Sequence, residues 1–489
     1  MARARHVGII GAGVAGLRCA DVLLQHGYHV TILEVRNRIG GRVCQKEIGG
    51  TVVDMGPNWI HGTDNNPIAD ISKATGTVTF DFGIEGPHTI VSQDGKPLPL
   101  PVADRITNTL WMLVDEALDW SLKNYKSIPA DLNVFDYLKK KIDESNLSAT
   151  EKSNCVELSK LWGSYIGSPV DKQSLKYFFM EAGVEGANLI VASTYKKILD
   201  HIAKPAEDGA EIALDDAVVS VTTETQEEGR KVITRTSSGK LREFDEVIST
   251  LPLGYLKNNK SIFNPPLPES VQEAIDGLGF GALEKIYLRF PSAFWHIEKK
   301  DIKEDEQDQT HPVHMIDYLN PLYVDMPIKG EFWNQECVSL SALPEPCAQP
   351  TLLFYLYGPS AEYITSSVAS LVPASKEYFD VINTFLKPFY SRLPRYNETN
   401  PACQPTAALA TQWSNDQFTG HGSYSNFQVG LEHGTEHVDA FSDDNLGITR
   451  GIWFAGEHTA PLLGLGTVTG AYWSGENTAR RLLQAFKSN

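Results

Sequence analysis

Long apolar runs are missing from this sequence. Nowhere do apolar residues continue for the ~18 positions that a helix needs to cross a bilayer, so no membrane span is expected. Cysteine is sparse: its six copies, at 19, 44, 155, 337, 347 and 403, show neither metal-ligand spacing nor the density of a disulfide framework. A reducing compartment is the default for such usage. Basic residues are in deficit, 43 Lys and Arg against 61 Asp and Glu, for a formal net charge of −18. That balance argues against nucleic acid or an anionic membrane as partner. It either only keeps the chain soluble or also draws a small cation into a cleft. The start, 1–5, runs directly into a strand with no apolar signal stretch. The tail Lys487-Ser488-Asn489 is not a recognisable peroxisomal address. The expected location is intracellular, cytoplasmic or peroxisomal.

What is present is an ordinary globular mixture, 42% hydrophobic and 21% charged. At 489 residues the chain exceeds the roughly 250–300 at which a single core stops growing, so two domains are expected. His6–Ile10 reads as a buried strand, 11–16 as a glycine-rich turn, Val14–Gln25 as an amphipathic helix closed by Gly27, and His29–Leu33 as a second strand. Together they form a β-α-β unit. Further along, 105–125 and 133–143 look helical, and 188–202 reads as a mixed helix ending near Pro205. Strands are expected within 212–223, 231–236, 246–250, 280–290, 352–357 and 452–455, with a closing helix over 469–486. The stretch 87–101, rich in Gly, Pro and Asp, suits a hairpin or domain crossing, and the charged stretch 298–309 a solvated loop.

Gly11, Gly13 and Gly16 spell G-x-G-x-x-G between the first strand and its helix, with Ala15 inside the motif. The first glycine permits the tight turn, the second lets backbone approach a pyrophosphate, and the third lets helix pack on strand. The helix N-terminus then faces the phosphates. Glu34 closes the second strand, 18 residues after Gly16, where a carboxylate can accept from ribose hydroxyls. The combination points to a dinucleotide.

The segment that follows, Glu34-Val35-Arg36-Asn37-Arg38-Ile39-Gly40-Gly41-Arg42, resembles the second FAD segment of the flavin-containing amine oxidase superfamily. Gly40 and Gly41 free the backbone for close approach, and Arg36 and Arg42 can neutralise a pyrophosphate. Asp54-Met55-Gly56-Pro57-Asn58-Trp59-Ile60-His61-Gly62 is similar to the family's flavin-facing loop, with Gly56 letting main-chain N–H groups meet the flavin edge. Near the other end, 454–459 and 466–471 resemble the family's C-terminal FAD motif. That resemblance implies that Glu457 binds the ribityl or phosphate region. It also implies that Val468, at a helix N-terminus, offers its N–H to the pyrimidine end, favouring negative charge on reduced flavin. Val218 matches the valine whose backbone grips adenine, and 250–252 the family's strand-ending proline motif.

The resemblance assigns chemistry as well. Lys285, in the segment 279–286, corresponds to the lysine that reaches flavin N5 through a water. A lysine between Leu283 and Ile286 is costly to bury without a local partner. His61, followed by Asn66-Pro67, matches the polyamine oxidase branch, where it lies beside the substrate amine; a neutral imidazole can accept a hydrogen bond there. Trp413 and Tyr424 resemble the aromatic segment over the flavin. Monoamine oxidases carry a flavin-linking cysteine where Ser423 stands, so FAD is expected to be noncovalent. Their second cage tyrosine corresponds to Thr467, which leaves the cage half open. From spacing alone, Glu181 and Glu185 would share one face of a helix and line a tunnel for a polycation, or form a solvated face. No metal site is expected.

The resulting expectation is an α/β protein. A Rossmann-type FAD-binding domain (1–80, 206–265, 430–489) is interleaved with an α+β substrate domain (81–205, 266–429). The implied activity is oxidation of a polyamine or acetylated polyamine: hydride passes from the carbon next to nitrogen to flavin N5, the imine hydrolyses, and O2 becomes H2O2. A small cationic amine and O2 are the expected partners. Another flavin amine oxidase, acting on monoamines or L-amino acids, and a chromatin-associated or non-catalytic flavoprotein remain as alternatives. The expected material is yellow, and acid precipitation should release its flavin to the supernatant. Protein that stays colourless after soaking in FAD contradicts the whole reading.

Overall fold

The computed structural model describes residues 5–83, 88–226, 229–296, 313–325 and 333–486. The charged stretch 298–309 lies outside them.

Five short strands form a parallel sheet in the spatial order Ile452–Phe454, Glu246–Ser249, His6–Ile10, His29–Leu33 and Glu211–Ala213. The first four are runs of mostly buried residues, as expected for strands covered on both faces, whereas the edge strand Glu211–Ala213 is partly exposed. One layer is Val14–Gln25 packed against the closing helix Val468–Ala485. Their crossing is close because Gly475 faces Ala15: a Cβ at 475 would stand 2.3 Å from the Ala15 carbonyl oxygen. Cys19 Sγ donates to the Gly475 carbonyl at 3.1 Å, and Arg18 pairs with Glu476 at 2.6 Å. The fully buried Glu246 carboxylate is held by Arg230 at 2.6 Å and the Trp453 indole N–H at 2.9 Å.

A second sheet of six strands runs Ala407–Ala410, Glu284–Arg289, Thr351–Leu356, Gln335–Ser339, Met315–Tyr318 and His88–Val91. Its pairs are antiparallel except the last, which is parallel. Helices Leu100–Asn124, Val134–Glu144 and Ala149–Lys160 build an apolar cluster beside it. The last two begin with side-chain caps from Asn133 and Ser148. No helix of the described residues is long and apolar enough to cross a membrane.

Several local expectations are corrected. Within 188–202, Leu189–Val191 is a strand between Trp59–Ile60 and Thr79–Phe80, and the helix is Lys196–Gly209. The apolar β-branched run finds strand partners distant in sequence, which local periodicity does not reveal. Pro205 lies inside that helix instead of ending it. The stretch 280–290 is two strands: Gly279–Gly281 pairs with Tyr424–Asn426, and Glu284–Arg289 joins the large sheet. Glu181 and Glu185 do not share a helix face. Glu181 ends a single turn, Phe178–Glu181, after which the chain is irregular through Asn188.

Gly475→Val should destabilise the protein by about 1–3 kcal/mol, because a side chain there meets backbone that cannot rotate away. The expected readout is a melting temperature lowered by several degrees, and an unchanged value would show that the helix pair tolerates separation.

Candidate active site

Turn and acid are knitted together before any cofactor is considered. The buried Glu34 carboxylate accepts from Ala12 N–H at 2.7 Å and Arg36 N–H at 2.9 Å. A carboxylate has roughly four acceptor positions, so capacity remains for hydroxyl donors. Gly11 and Gly16 are glycines for internal reasons: a Cβ would lie 2.5 Å from Thr250 Oγ1 or 2.1 Å from the Gly11 carbonyl oxygen. Gly13 is different. Its φ of −75° suits any residue, and a Cβ there would meet no protein atom within 4 Å. The open space over this helix N-terminus fits a phosphate group drawn against the backbone. Gly41, with φ of +58°, abuts it, a Cβ there standing 3.3 Å from Gly13 Cα.

The two arginines are already paired. Arg36 contacts Asp416 at 2.6 Å, and Arg42 contacts Glu457 at 2.9 Å while donating to the Ser423 carbonyl at 2.6 Å. Burial opposes charge on Glu457, yet Arg42 and the Ser425 hydroxyl, 2.5 Å away, hold its carboxyl below the usual range. Glu457 is thus fixed by protein groups on both of its oxygens. Val218 is buried at the start of its strand, after Asp215, whose φ is +60° and whose neighbour Asp216 donates its N–H to the Glu34 carbonyl. Thr467 caps the closing helix: its hydroxyl accepts from Gly470 N–H at 2.9 Å and donates to the Gly464 carbonyl at 2.8 Å. Val468 is the first residue of that helix.

Lys285 is 4% exposed, and its amine donates to the Gly56 carbonyl. Burial pulls its pKa down to about 8, against the attraction of Asp54; burial pushes the Asp54 carboxyl up to about 7. The Gly56 carbonyl is held in place because Gly56 presses on Arg42, where a Cβ would stand 1.9 Å from the carbonyl oxygen. Just before it, the Met55 carbonyl accepts from the Trp413 indole at 3.3 Å. Beyond Pro57, Asn58 bonds the Tyr287 hydroxyl at 3.1 Å and the Tyr355 hydroxyl at 3.2 Å, and Trp59 donates to Tyr355 at 3.0 Å. The 54–59 segment therefore gathers Lys285, Trp413 and two tyrosines.

The His61 side chain is exposed, although enough protein surrounds it to disfavour its charged form. Burial lowers its pKa, partly opposed by a hydrogen bond with Asn188, and the ring is neutral at physiological pH. Its loop is pinned by 183–187: a Cβ at Gly62 would stand 2.0 Å from the Val184 carbonyl oxygen. Glu185 itself is exposed, and it acts through its backbone carbonyl, which accepts from Thr63 and Asp64 N–H at 3.0 and 2.9 Å. Glu181 is brought to the site. Its carboxyl accepts from Phe427 N–H at 3.3 Å, burial raises its pKa to about 8, and it interacts with Tyr424. The Tyr424 hydroxyl donates to the Tyr165 carbonyl at 2.6 Å, and its ring lies against Gly466, just before Thr467. Ser423 is fixed by the Gly281 carbonyl and Leu283 N–H at 3.2 and 2.8 Å.

Sequence reasoning assigned no role to Asp54, Tyr287, Tyr355 or Tyr165. Asp54 opens a segment that was read for its glycine; the three tyrosines carry no motif and are recruited by strand pairing and packing.

The model of the family described as flavin containing amine oxidoreductase matches residues 14–483. Corticosteroid-binding protein of Candida albicans is 24% identical over 97% of this chain and 95% of its own. Polyamine oxidase 4 of Oryza sativa subsp. japonica is 26% identical, over 96% of this chain and 86% of its own. Alignments with three other curated relatives span only 53 to 58% of those proteins. A solved structure of wild-type putrescine oxidase bound to putrescine superposes with a TM-score of 0.68, at 18% identity, over 99% of both chains. The chain belongs to the flavin-containing amine oxidoreductase family.

Proposed function

We propose that this protein is a polyamine-oxidising enzyme that holds FAD noncovalently and uses O2. The observation that carries the reading is a buried lysine whose amine rests on the Gly56 carbonyl, in the same loop system as His61. FAD, when bound, supplies a two-electron acceptor for the hydride of the carbon next to nitrogen, and O2 takes those electrons to give H2O2. Gly13, Gly41 and Glu34 would hold its pyrophosphate and ribose side, and Val468 its far end. The interleaved division into 1–80, 206–265, 430–489 and 81–205, 266–429 belongs to the same proposal.

The chain's own groups act on protons and orientation. Neutral His61 accepts a hydrogen bond from the substrate amine and orients it, the unprotonated amine being the form able to release hydride. Lys285, partly neutral near pH 8, would exchange a proton at its amine, which the Gly56 carbonyl holds in place. Tyr424 and Trp413 provide aromatic walls, and the commitment of Thr467 to its cap leaves the cage open beside Tyr424. Glu181 is protonated at neutral pH when nothing is bound; an arriving ammonium favours its charged form and is drawn towards Tyr424. Ser423 offers no thiol for a covalent flavin link.

Spermine should be turned over faster than tyramine or an L-amino acid, with equal carbonyl product and H2O2; the opposite order favours a monoamine or amino-acid oxidase. The neutral fraction of Lys285 grows as pH rises through about 8. The limiting rate of flavin reduction should therefore climb over that range. Lys285→Met should slow it about 100-fold and leave only the limb that belongs to the amine's own ionisation. Unchanged stopped-flow rates with FAD retained would remove Lys285 from the chemistry.

A further inference from the structure

The face of the large sheet that carries Lys285 also carries two tyrosines that no sequence motif covers. Side chains two apart on a strand point to the same face, so Tyr287 shares it with Lys285. Tyr355 stands directly opposite Lys285 on the next strand and points the same way. Tyr287 and Tyr355 are buried, at 1% and 4% exposure. Segment 54–59 lies over this face and is bonded by all three side chains.

The hydrogen bonds of the two hydroxyls have a fixed direction. The Trp59 indole N–H donates to the Tyr355 hydroxyl at 3.0 Å, and that hydroxyl donates to Asn58 Oδ1 at 3.2 Å. From the other end of the same amide, Asn58 Nδ2 donates to the Tyr287 hydroxyl at 3.1 Å, which donates to the Asp54 main-chain carbonyl at 2.5 Å. Each phenolic proton is thereby committed to a carbonyl oxygen, and neither is donated to the lysine. What Tyr355 turns towards the amine is its ring. Lys285 Nζ lies 5.7 Å from the ring centroid, inside the ~6 Å within which an aromatic face attracts a cation. With its hydroxyl held on two sides, the ring cannot swing away.

Burial explains what such a contact does. An ammonium taken out of water loses hydration that one carbonyl replaces only in part. The titratable groups around it are the phenols of Tyr287 and Tyr355, Cys44 and Asp54 from the ends of the 44–54 hairpin, and Glu284, its neighbour in the strand. Asp54 is already bonded to the Gln45 amide at 2.6 Å and Tyr195 N–H at 2.9 Å. Glu284 is bonded to Ser414 N–H at 2.7 Å and the Thr411 hydroxyl at 2.5 Å. An aromatic face, by contrast, attracts the cation without offering a site for its proton.

We infer that Tyr355 is a positioning residue: its ring, locked by Asn58 and Trp59, holds the Lys285 ammonium against the Gly56 carbonyl and sets how readily that amine gives up its proton. The inference rests on the reading of Lys285 as a proton-exchanging group and names what tunes it. Asn58 is part of the device, since one amide fixes both tyrosines.

The test follows thermal melting of the full chain loaded with FAD across the neutral to alkaline range, each protein against the same chain carrying Lys285→Met. Burial depresses the lysine pKa in the folded state. Its charge therefore costs stability at low pH, and the cost is relieved as pH rises through the folded pKa, near 8. Asp54 titrates with the lysine, so the steps belong to the pair, and losing the ring lowers their sum whichever group holds the shared proton. In Tyr355→Leu the difference curve should move down by about one pH unit. In Tyr355→Phe, which keeps the ring, it should stay in place. A trifluorophenylalanine at 355 keeps the ring's shape and removes its negative face. Against Tyr355→Phe it should move the curve as Tyr355→Leu does, and it decides alone should the leucine variant not fold. An unmoved curve in either ring-deficient protein, or an equal shift in Tyr355→Phe, overturns the assignment. The pH profile of flavin reduction by spermine should carry the same displacement. A melting shift with no H2O2 from any amine would overturn the enzymatic reading and leave the ring contact standing, because melting needs no turnover.

Discussion

Arg42 and Glu457 are 415 residues apart in the chain and 2.9 Å apart in space. Their ion pair closes a ring of contacts that holds the candidate site together. From the same guanidinium a second bond goes to the Ser423 carbonyl, while Glu457 takes the Ser425 hydroxyl. The Arg42 carbonyl, in turn, is the surface against which Gly56 packs, and Gly56 carries the carbonyl that receives Lys285. A buried, unpaired carboxylate or guanidinium costs several kcal/mol, so loss of one partner would be felt by every group downstream. Loop, aromatic segment and C-terminal strand are thereby held as one unit, with little freedom to shift the lysine.

Electrostatics then divide the labour among groups of similar type. Desolvation makes His61 neutral and lowers the Lys285 pKa, and raises the carboxyls of Asp54 and Glu181. Glu457 resists the same pressure because a guanidinium is within reach. Where burial outweighs the local partners, as at Lys285, Asp54 and Glu181, the charged form is disfavoured; where a guanidinium is in contact, as at Glu457, it is kept. An overall acidic chain therefore presents, around the reacting position, few fixed charges and several groups ready to move a proton.

Legibility from sequence followed the range of the interactions involved. The strand-turn-helix-strand at the N-terminus is local, and Gly16 and Glu34 could be read because their neighbours lie close in sequence, whereas the atom that crowds Gly11 belongs to the distant Thr250. The Lys285 assignment came from resemblance, and the structure supplies its physical partner, the Gly56 carbonyl. Glu181 and Glu185 were misread because i, i+4 spacing implies a shared face only when a helix exists, and one turn after Phe178 the backbone leaves it. Arg36 and Arg42 looked free for phosphate, while both have acidic partners more than 350 positions away.

By itself, the amino-acid order determined a glycine-rich strand-turn-helix, its acid and an ordinary globular composition, since these depend on local geometry and residue chemistry. Tertiary structure alone decided that Lys285 stands opposite Tyr355 and that the Tyr424 hydroxyl reaches the Tyr165 carbonyl. Strand register arises from pairing between segments tens of residues apart, and a shift of one residue would send every side chain of a strand to the other face.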